Sequence, residues 1–293
     1  MAGIGPVWGQ DINRHRDFVI SAYSAVVARA DNGGIAVKRD VRYGPHARNV
    51  LDIFTPADGA GRERRRGDIV LFVHGGAFVR GSKSSNGHIY DNVCYWFARQ
   101  GYVAVNVEYR LAQDAPWPAG AEDVAQAADW VAVNLREPGA PPPRIFLIGH
   151  SAGGTHVASC LFDPELRRRR PANVAAAVLV SARLRADVHP DNPNAAGVRA
   201  YFGEDGALYE QRSPVTWAHC SDVPLMIAVA EYENPYLDLY GAEFFYRASE
   251  AREKKPRFVQ LMKHNHTSIV AHFNSGEENL GRQIVDFFDD LPR

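Results

Sequence analysis

Six apolar runs, separated by segments long enough to form helices, restrict the fold of this 293-residue chain more than any other feature. Each run is almost continuous in apolar residues, as is typical of strands buried on both faces of a parallel sheet. Strand-like and helix-like stretches alternate from about residue 38 to the end, which predicts an α/β fold with a mostly parallel central sheet flanked by helices. The runs are DIVLFVHG, YVAVNVEY, RIFLIGH, VAAAVLVSA, PLMIAVAE and RFVQLMKH.

Other segments complete this sheet. VKRDVRYG and NVLDIFTP alternate polar and apolar residues, so we expect an antiparallel pair of strands at one edge. AGAEDVAQAADWVAVNL places its apolar residues on one helical face, which predicts a helix packed on the sheet, and the last segment does the same.

Two stretches, residues 1–36 and 183–218, interrupt the alternation. The first contains a predicted helix around DFVISAYSAVVARA, and the second is long, polar and rich in proline. Long excursions of this kind usually cover a functional site. We therefore predict a small cap from these two stretches over the carboxyl edge of the sheet, within a single domain spanning residues 1–293.

The balance of charged residues limits the class of binding partner that the chain is expected to have. The 33 Lys and Arg nearly cancel the 34 Asp and Glu, which leaves a net charge of −1 and no overall field for nucleic acid or an anionic membrane. The arginine runs at 62–66 and 167–170 are interpreted as solvated loops. We expect a small-molecule partner and allow for a homo-oligomer.

The cysteines and the absence of a targeting pattern indicate a compartment. Cys94, Cys160 and Cys220 have no metal-type spacing, which favours a reducing environment without a disulfide. The sequence has no leader pattern and no apolar segment approaching the ~18 residues that span a bilayer. The expectation is a cytoplasmic protein with no membrane contact.

Ser151 lies in a glycine-flanked turn that favours nucleophilic chemistry. Gly149, Ser151 and Gly153 complete the pattern G-x-S-x-G between the strand-like RIFLI and the helix-like AGGTHVASCLF. A strand, a sharp turn and a helix in this order form the nucleophile elbow, in which glycines avoid steric clashes. We predict that Ser151 is a catalytic nucleophile.

A serine hydroxyl needs a base and an oxyanion hole to react at neutral pH. HGGAF at 74–78 follows a predicted strand directly and offers a glycine-rich turn. We predict that the backbone N–H groups of Gly76 and Ala77, with that of Ala152 after the nucleophile, stabilise the oxyanion.

Three segments occur in an order and spacing that resemble a known family: HGGAF, VEYRLAQDAPWPAGAEDV at 107–124, and GHSAGG. Across roughly residues 40–290 the chain resembles the α/β-hydrolase esterases of the hormone-sensitive-lipase type and their feruloyl-esterase-like relatives. The resemblance implies the α/β-hydrolase fold, carboxylesterase activity and a structural role for His74. Ala77 stands where the fullest form of the family has a third glycine.

The base is expected late in the chain, because this fold places the acid after the nucleophile and the histidine last. His264, His266 and His272 lie at or beyond the end of the final predicted strand. His266 matches the H-x-S ending of the family and is the predicted base, whereas His264 is interpreted as support for the loop. The three histidines lack a carboxylate or cysteine at ligand spacing, so neither a metal nor another cofactor is expected.

The acid is expected after PLMIAVA, where EYENP contains Glu231 and Glu233. The family commonly has an aspartate where Glu233 stands, so the resemblance favours Glu233 as the residue that orients the imidazole. Glutamate occurs in such triads, but its extra methylene leaves Glu231 and Asp238 open as alternatives.

Together these residues predict hydrolysis of small, short-acyl esters through an acyl-enzyme on Ser151. One alternative is an aryl-formamidase or another amidase on the same fold. A second is a catalytically inactive binding module, which would be expected to lack the nucleophile, the base or the donor loop. The pocket is expected to be lined by aromatic residues: Phe78, Tyr201 and Phe202, with Trp8 and Tyr23 from the first cap stretch.

Overall fold

The computed structural model describes residues 3–57, 67–136, 139, 141–169 and 171–292. The arginine run at 62–66 and the end of the run at 167–170 lie outside these residues, while Arg167–Arg169 form an exposed 3-10 turn. Within the described residues eight strands form one sheet: β1 Ile35–Arg42, β2 Val50–Pro56, β3 Asp68–Val73, β4 Val103–Val107, β5 Arg144–His150, β6 Val174–Val180, β7 Leu225–Tyr232 and β8 Arg257–Asn265.

The sheet is mostly parallel, as the apolar runs predict. Its strand order is β1-β2-β4-β3-β5-β6-β7-β8. β1 pairs antiparallel with β2, and β2 pairs antiparallel with β4, whereas every pair from β4 to β8 is parallel. The antiparallel strands β1 and β2 therefore lie at one side of the sheet. The six parallel strands, β3 to β8, run in the same direction, so their carboxyl ends lie along one common edge.

Helices cover both faces of this sheet. Residues of β3 alternate between the two hydrophobic cores: Leu71 packs in one and Phe72 in the other, because successive strand residues point to opposite faces. The first core also holds the helices Ala119–Asn134, Ala152–Phe162 and Leu237–Glu250, and the second holds the helices Asp91–Arg99 and Asn279–Asp289. In chain order the described helices are α1 Ile12–Val27, α2 Asp91–Arg99, α3 Ala119–Asn134, α4 Ala152–Phe162, α5 Ala195–Phe202, α6 Tyr209–Arg212, α7 Leu237–Glu250, α8 Ser268–Ala271 and α9 Asn279–Asp289.

The two stretches predicted as cap elements contain helices of their own. A 3-10 helix at Gly5–Gln10 leads into α1, whose first turn is capped by the Asp11 side chain accepting a hydrogen bond from the Arg14 N–H. The second stretch contains α5 and α6 with two 3-10 turns, Gly206–Leu208 and Pro214–Trp217. None of the described helices is both long enough and apolar enough to cross a membrane.

Candidate active site

Ser151 is the single residue of a sharp turn between β5 and α4. Its backbone adopts φ 54° and ψ −119°, a strained conformation for a residue with a side chain. A Cβ added to Gly149 would lie 2.6 Å from the Gly153 carbonyl oxygen, and one added to Gly153 would lie 2.2 Å from the Val73 oxygen. Only glycine fits at both positions, so the turn can hold the serine hydroxyl out from the sheet edge.

His266 lies opposite this hydroxyl, in the turn between β8 and α8. Its Nε2 is 3.1 Å from the Ser151 Oγ, within hydrogen-bonding distance. Its backbone N–H donates to the carbonyl of Tyr232 at the end of β7, at 3.1 Å. The ring is therefore positioned by the sheet, with only 8% of the residue exposed.

Glu233 completes the chain of hydrogen bonds. Its Oε2 lies 2.8 Å from the His266 Nδ1, and its Oε1 accepts from the Ala230 N–H at 2.8 Å and from the Ser181 hydroxyl. The side chain is 3% exposed, so the ion pair that a protonated His266 would form is shielded from solvent. Ser181 was not predicted from the sequence, because nothing in its local pattern separates it from any serine at a strand end.

Neither of the two alternative acids, Glu231 and Asp238, has a described hydrogen bond to His266. Glu231 accepts a hydrogen bond from the Lys263 N–H at 2.5 Å, and Asp238 lies in the first turn of α7. Of the three carboxylates, the structure brings only Glu233 to His266. His264 bonds to Glu277 at 2.7 Å and to the Ser268 hydroxyl at 3.1 Å, which places it in the support of the loop.

The loop after β3 is predicted to supply the oxyanion hole, and this oxyanion loop is built from residues with positive φ. Gly76 has φ 152°, and an added Cβ would lie 1.8 Å from the Arg80 carbonyl oxygen. Ala77 has φ 51° and tolerates this conformation despite its Cβ. Gly76 and Ala77 line the same cavity as Ser151 and His266, while Ala152 is buried directly behind the nucleophile as the first residue of α4.

Comparisons with known proteins agree with this architecture. The BD-FAE family model matches residues 51–162. Esterase LipI of Mycobacterium tuberculosis is 42% identical over 31% of this chain and 27% of its own length. Gibberellin receptor GID1 of Oryza sativa subsp. japonica is 35% identical over 46% of this chain and 36% of its own length.

A solved structure described as a bacterial heroin esterase superposes with a TM-score of 0.73 at 22% identity, covering 97% of this chain and 93% of that one. The chain therefore has the α/β-hydrolase fold. It spans only about a quarter to a third of the length of curated relatives such as LipI and GID1. Because the relatives include both an esterase and a receptor, the activity of this α/β-hydrolase has to be argued from its own site.

His74 supports the oxyanion loop of this α/β-hydrolase from below. Its Nδ1 lies 2.6 Å from the Gly75 carbonyl oxygen and its Nε2 lies 3.0 Å from the Glu108 Oε1, and the side chain is fully buried. Burial opposes the charge of Glu108, but the bonds from His74 and from the Lys83 N–H lower the pKa of this carboxyl overall. This position agrees with the structural role that the family resemblance implies.

His150, which the sequence did not single out, contacts His266 through a backbone hydrogen bond and a ring contact. Its Nε2 lies 2.9 Å from the His266 carbonyl oxygen, and the two rings are 5.0 Å apart. Burial, followed by repulsion from His266, lowers the pKa of His150 well below its usual value. A neutral ring with its proton on Nε2 can donate to that carbonyl, so His150 fixes the turn that carries the base.

The cavity above Ser151 has a volume of about 310 Å³. Its walls come from the oxyanion loop, from α1 and from the turn before α5, so both predicted cap stretches contribute to it. Trp8 lines the cavity as expected, and its indole N–H donates to the Asn234 Oδ1 at 3.0 Å. Tyr23 is not among the residues that line it.

The other predicted aromatic residues occupy a different place. Phe78, Tyr201 and Phe202 are at most 1% exposed and do not line the cavity. The rings of Phe78 and Tyr201 stack with centroids 4.7 Å apart and nearly parallel planes. The three side chains gain more by packing on one another than by facing water, so they form a small hydrophobic core of their own and not the cavity wall that the sequence predicts.

Proposed function

We propose that this α/β-hydrolase is a serine carboxylesterase that hydrolyses small, short-acyl esters. The observation that carries the proposal is the continuous hydrogen-bond path from the Ser151 Oγ through His266 to Glu233, next to a loop of backbone donors. Acyl transfer needs this combination, because the nucleophile must lose a proton while its target gains a negative charge.

The reaction proceeds in two halves. The Ser151 Oγ attacks the ester carbonyl while the His266 Nε2 takes its proton, and the N–H groups of Gly76, Ala77 and Ala152 stabilise the oxyanion. The bond to the alcohol oxygen then breaks, and His266 gives its proton to the leaving alcohol. Water repeats the attack on the acyl-enzyme and releases the acid, while Glu233 keeps the Nδ1 proton in place throughout.

The cavity supports a short acyl group. At about 310 Å³ it lies at the lower end of the range of ~300–1,000 Å³ usual for small-molecule sites. Ile12 and Ile20 of α1 form part of its wall opposite the sheet edge. These side chains limit the room for an acyl chain on the α1 side of the cavity.

Initial rates on nitrophenyl esters of increasing acyl length test the proposal, with an aryl formamide measured alongside. We expect turnover that falls as the chain lengthens and that is lost in the Ser151→Ala variant. Ser21→Ala is the matched control, because Ser21 is exposed on α1 and does not line the cavity. Preference for the formamide over every ester would move the assignment to an amidase, and turnover that survives Ser151→Ala would refute the mechanism.

A further inference from the structure

Two arginines share the cavity with the nucleophile. Arg16 comes from α1 in the first cap stretch, and Arg80 comes from the segment just after the oxyanion loop. The two arginines therefore reach the same cavity from separate parts of the chain. The proposed hydrolysis of a neutral ester uses neither of them.

The carboxylates near these arginines do not balance their two positive charges. Arg16 donates to the Asp17 Oδ1 through Nε at 2.9 Å and through a terminal nitrogen at 2.8 Å, but Asp17 is 67% exposed. Arg80 donates only to the neutral amide oxygen of Asn194, at 3.3 Å, and forms no ion pair with any carboxylate that the structure describes. The permanently charged side chains lining the cavity are thus two guanidiniums and one carboxylate.

The positive charges of the two arginines repel each other. Burial and then the positive charge of Arg16 lower the pKa of Arg80 from its usual value, and the opposing effects of Tyr90 and then Asp17 offset this only in part. Arginine keeps its proton at every ordinary pH, so this repulsion cannot be relieved by deprotonation. An anion bound between the two groups would relieve it.

We infer that the ester substrate carries a carboxylate away from the bond that is cleaved, and that Arg80, assisted by Arg16, binds this carboxylate. The inference rests on the proposed esterase function and specifies its substrate class. A carboxylate matches the planar fork of a guanidinium better than it matches any other donor in the cavity. The carboxylate can belong to the acyl part or to the alcohol part of the ester, and the test separates the two.

Two pairs of substrates measure the preference. The acyl pair is the nitrophenyl monoester of adipate and its neutral primary-amide counterpart, and the alcohol pair is 4-butyryloxybenzoate and 4-butyryloxybenzamide. For at least one pair we expect kcat/KM to favour the anion by about tenfold or more, the scale of a charge-assisted hydrogen bond. The pair that shows the preference identifies the part of the ester that faces Arg80.

Variants then assign the preference to its residues. Arg80→Gln should lower the ratio of anionic to neutral kcat/KM about tenfold, and Arg80→Lys should retain part of it. Arg14→Gln is the matched control, because it removes the same charge from an exposed position on α1 outside the cavity and should leave the ratio unchanged. Added salt should reduce the ratio in the native protein, since the arginines lie near solvent.

Equal kcat/KM within both pairs, or a preference that survives both Arg80→Gln and Arg16→Gln, would overturn the inference while leaving the esterase proposal intact. If no ester is cleaved in a Ser151-dependent way, the esterase proposal fails, and calorimetry decides the binding question separately. Adipate and 4-hydroxybenzoate are titrated into Ser151→Ala with and without Arg80→Gln. Binding that requires Arg80 supports the carboxylate site, and absence of binding by both probes overturns it.

Discussion

Replacing Glu233 by glutamine perturbs the proton on the base without changing the shape of the site. The Glu233 Oε1 accepts two hydrogen bonds, from the Ala230 N–H and from the Ser181 hydroxyl. The amide oxygen of glutamine must therefore take this place, since an NH₂ group cannot accept them. The NH₂ group is then directed at the His266 Nδ1, 2.8 Å from the oxygen that it replaces.

This arrangement reverses the tautomer of the imidazole. An NH₂ group donates to Nδ1, so the ring proton moves to Nε2 and faces the Ser151 Oγ at 3.1 Å. Nε2 then cannot accept the serine proton. An amide in place of the acid lowers kcat by about 10⁴ in a Ser-His-Asp triad, equivalent to ~5.5 kcal/mol, and we expect a loss of this order.

The assay is kcat/KM on a short-chain nitrophenyl ester, with circular dichroism to confirm folding. Glu231→Gln is the matched control, because it makes the same change two residues away on a side chain that accepts from the Lys263 N–H and is not hydrogen-bonded to His266 in the described structure. A loss below about tenfold for Glu233→Gln would refute the reasoning. A larger loss for Glu231→Gln than for Glu233→Gln would identify Glu231 as the acid.

Two further predictions concern stability. Gly153→Ala should lower the free energy of unfolding by about 3 kcal/mol, because its Cβ would lie 2.2 Å from the Val73 oxygen. Gly206→Ala, with open space around it, is the control in urea unfolding, and equal stability of the two variants would contradict the clash. The second concerns pH. Burial acts against the charge of Glu108, yet the bond from His74 and its other partners hold the pKa of this carboxyl below the usual 4.5, so its stabilising contribution is present above pH 4.5 and is lost as the pH falls through the lowered value. The urea midpoint of the native protein should therefore fall more between pH 6 and pH 3.5 than that of Glu108→Gln, and parallel curves would show that Glu108 makes no such contribution.

The sheet could be predicted from the sequence because burial on both faces leaves a local signature. β3 is buried at every position and reads as one apolar run, whereas β1 alternates and lies at the edge. The same logic explains why Ser151, Glu233 and His266 could be placed together: each follows a parallel strand, and the carboxyl ends of such strands meet at one edge. Their catalytic roles stay predictions that the experiments above test.

The cap could not be predicted at the level of side chains. Phe78 and Tyr201 are 123 residues apart in sequence, and their stacking depends on how α5 settles against the oxyanion loop. No periodic pattern reports such a contact between irregular segments. For the same reason nothing in the sequence distinguishes Arg16 and Arg80 from other arginines, and only the folded chain brings them to one cavity.

The geometry of the three candidate catalytic residues is set by backbone hydrogen bonds that continue the sheet beyond its strands. The Ser151 N–H donates to the Val180 carbonyl at 3.0 Å, and the Ser181 N–H donates to the Ala228 carbonyl at 2.7 Å. The His266 N–H is likewise bonded to the end of β7. None of these bonds involves the cap, whose own contribution is the wall of the cavity. Under the proposed function, the sheet edge keeps the spacing of Ser151, His266 and Glu233 while the predicted cap stretches determine which ester enters, because changes in those stretches leave the strand ends in place.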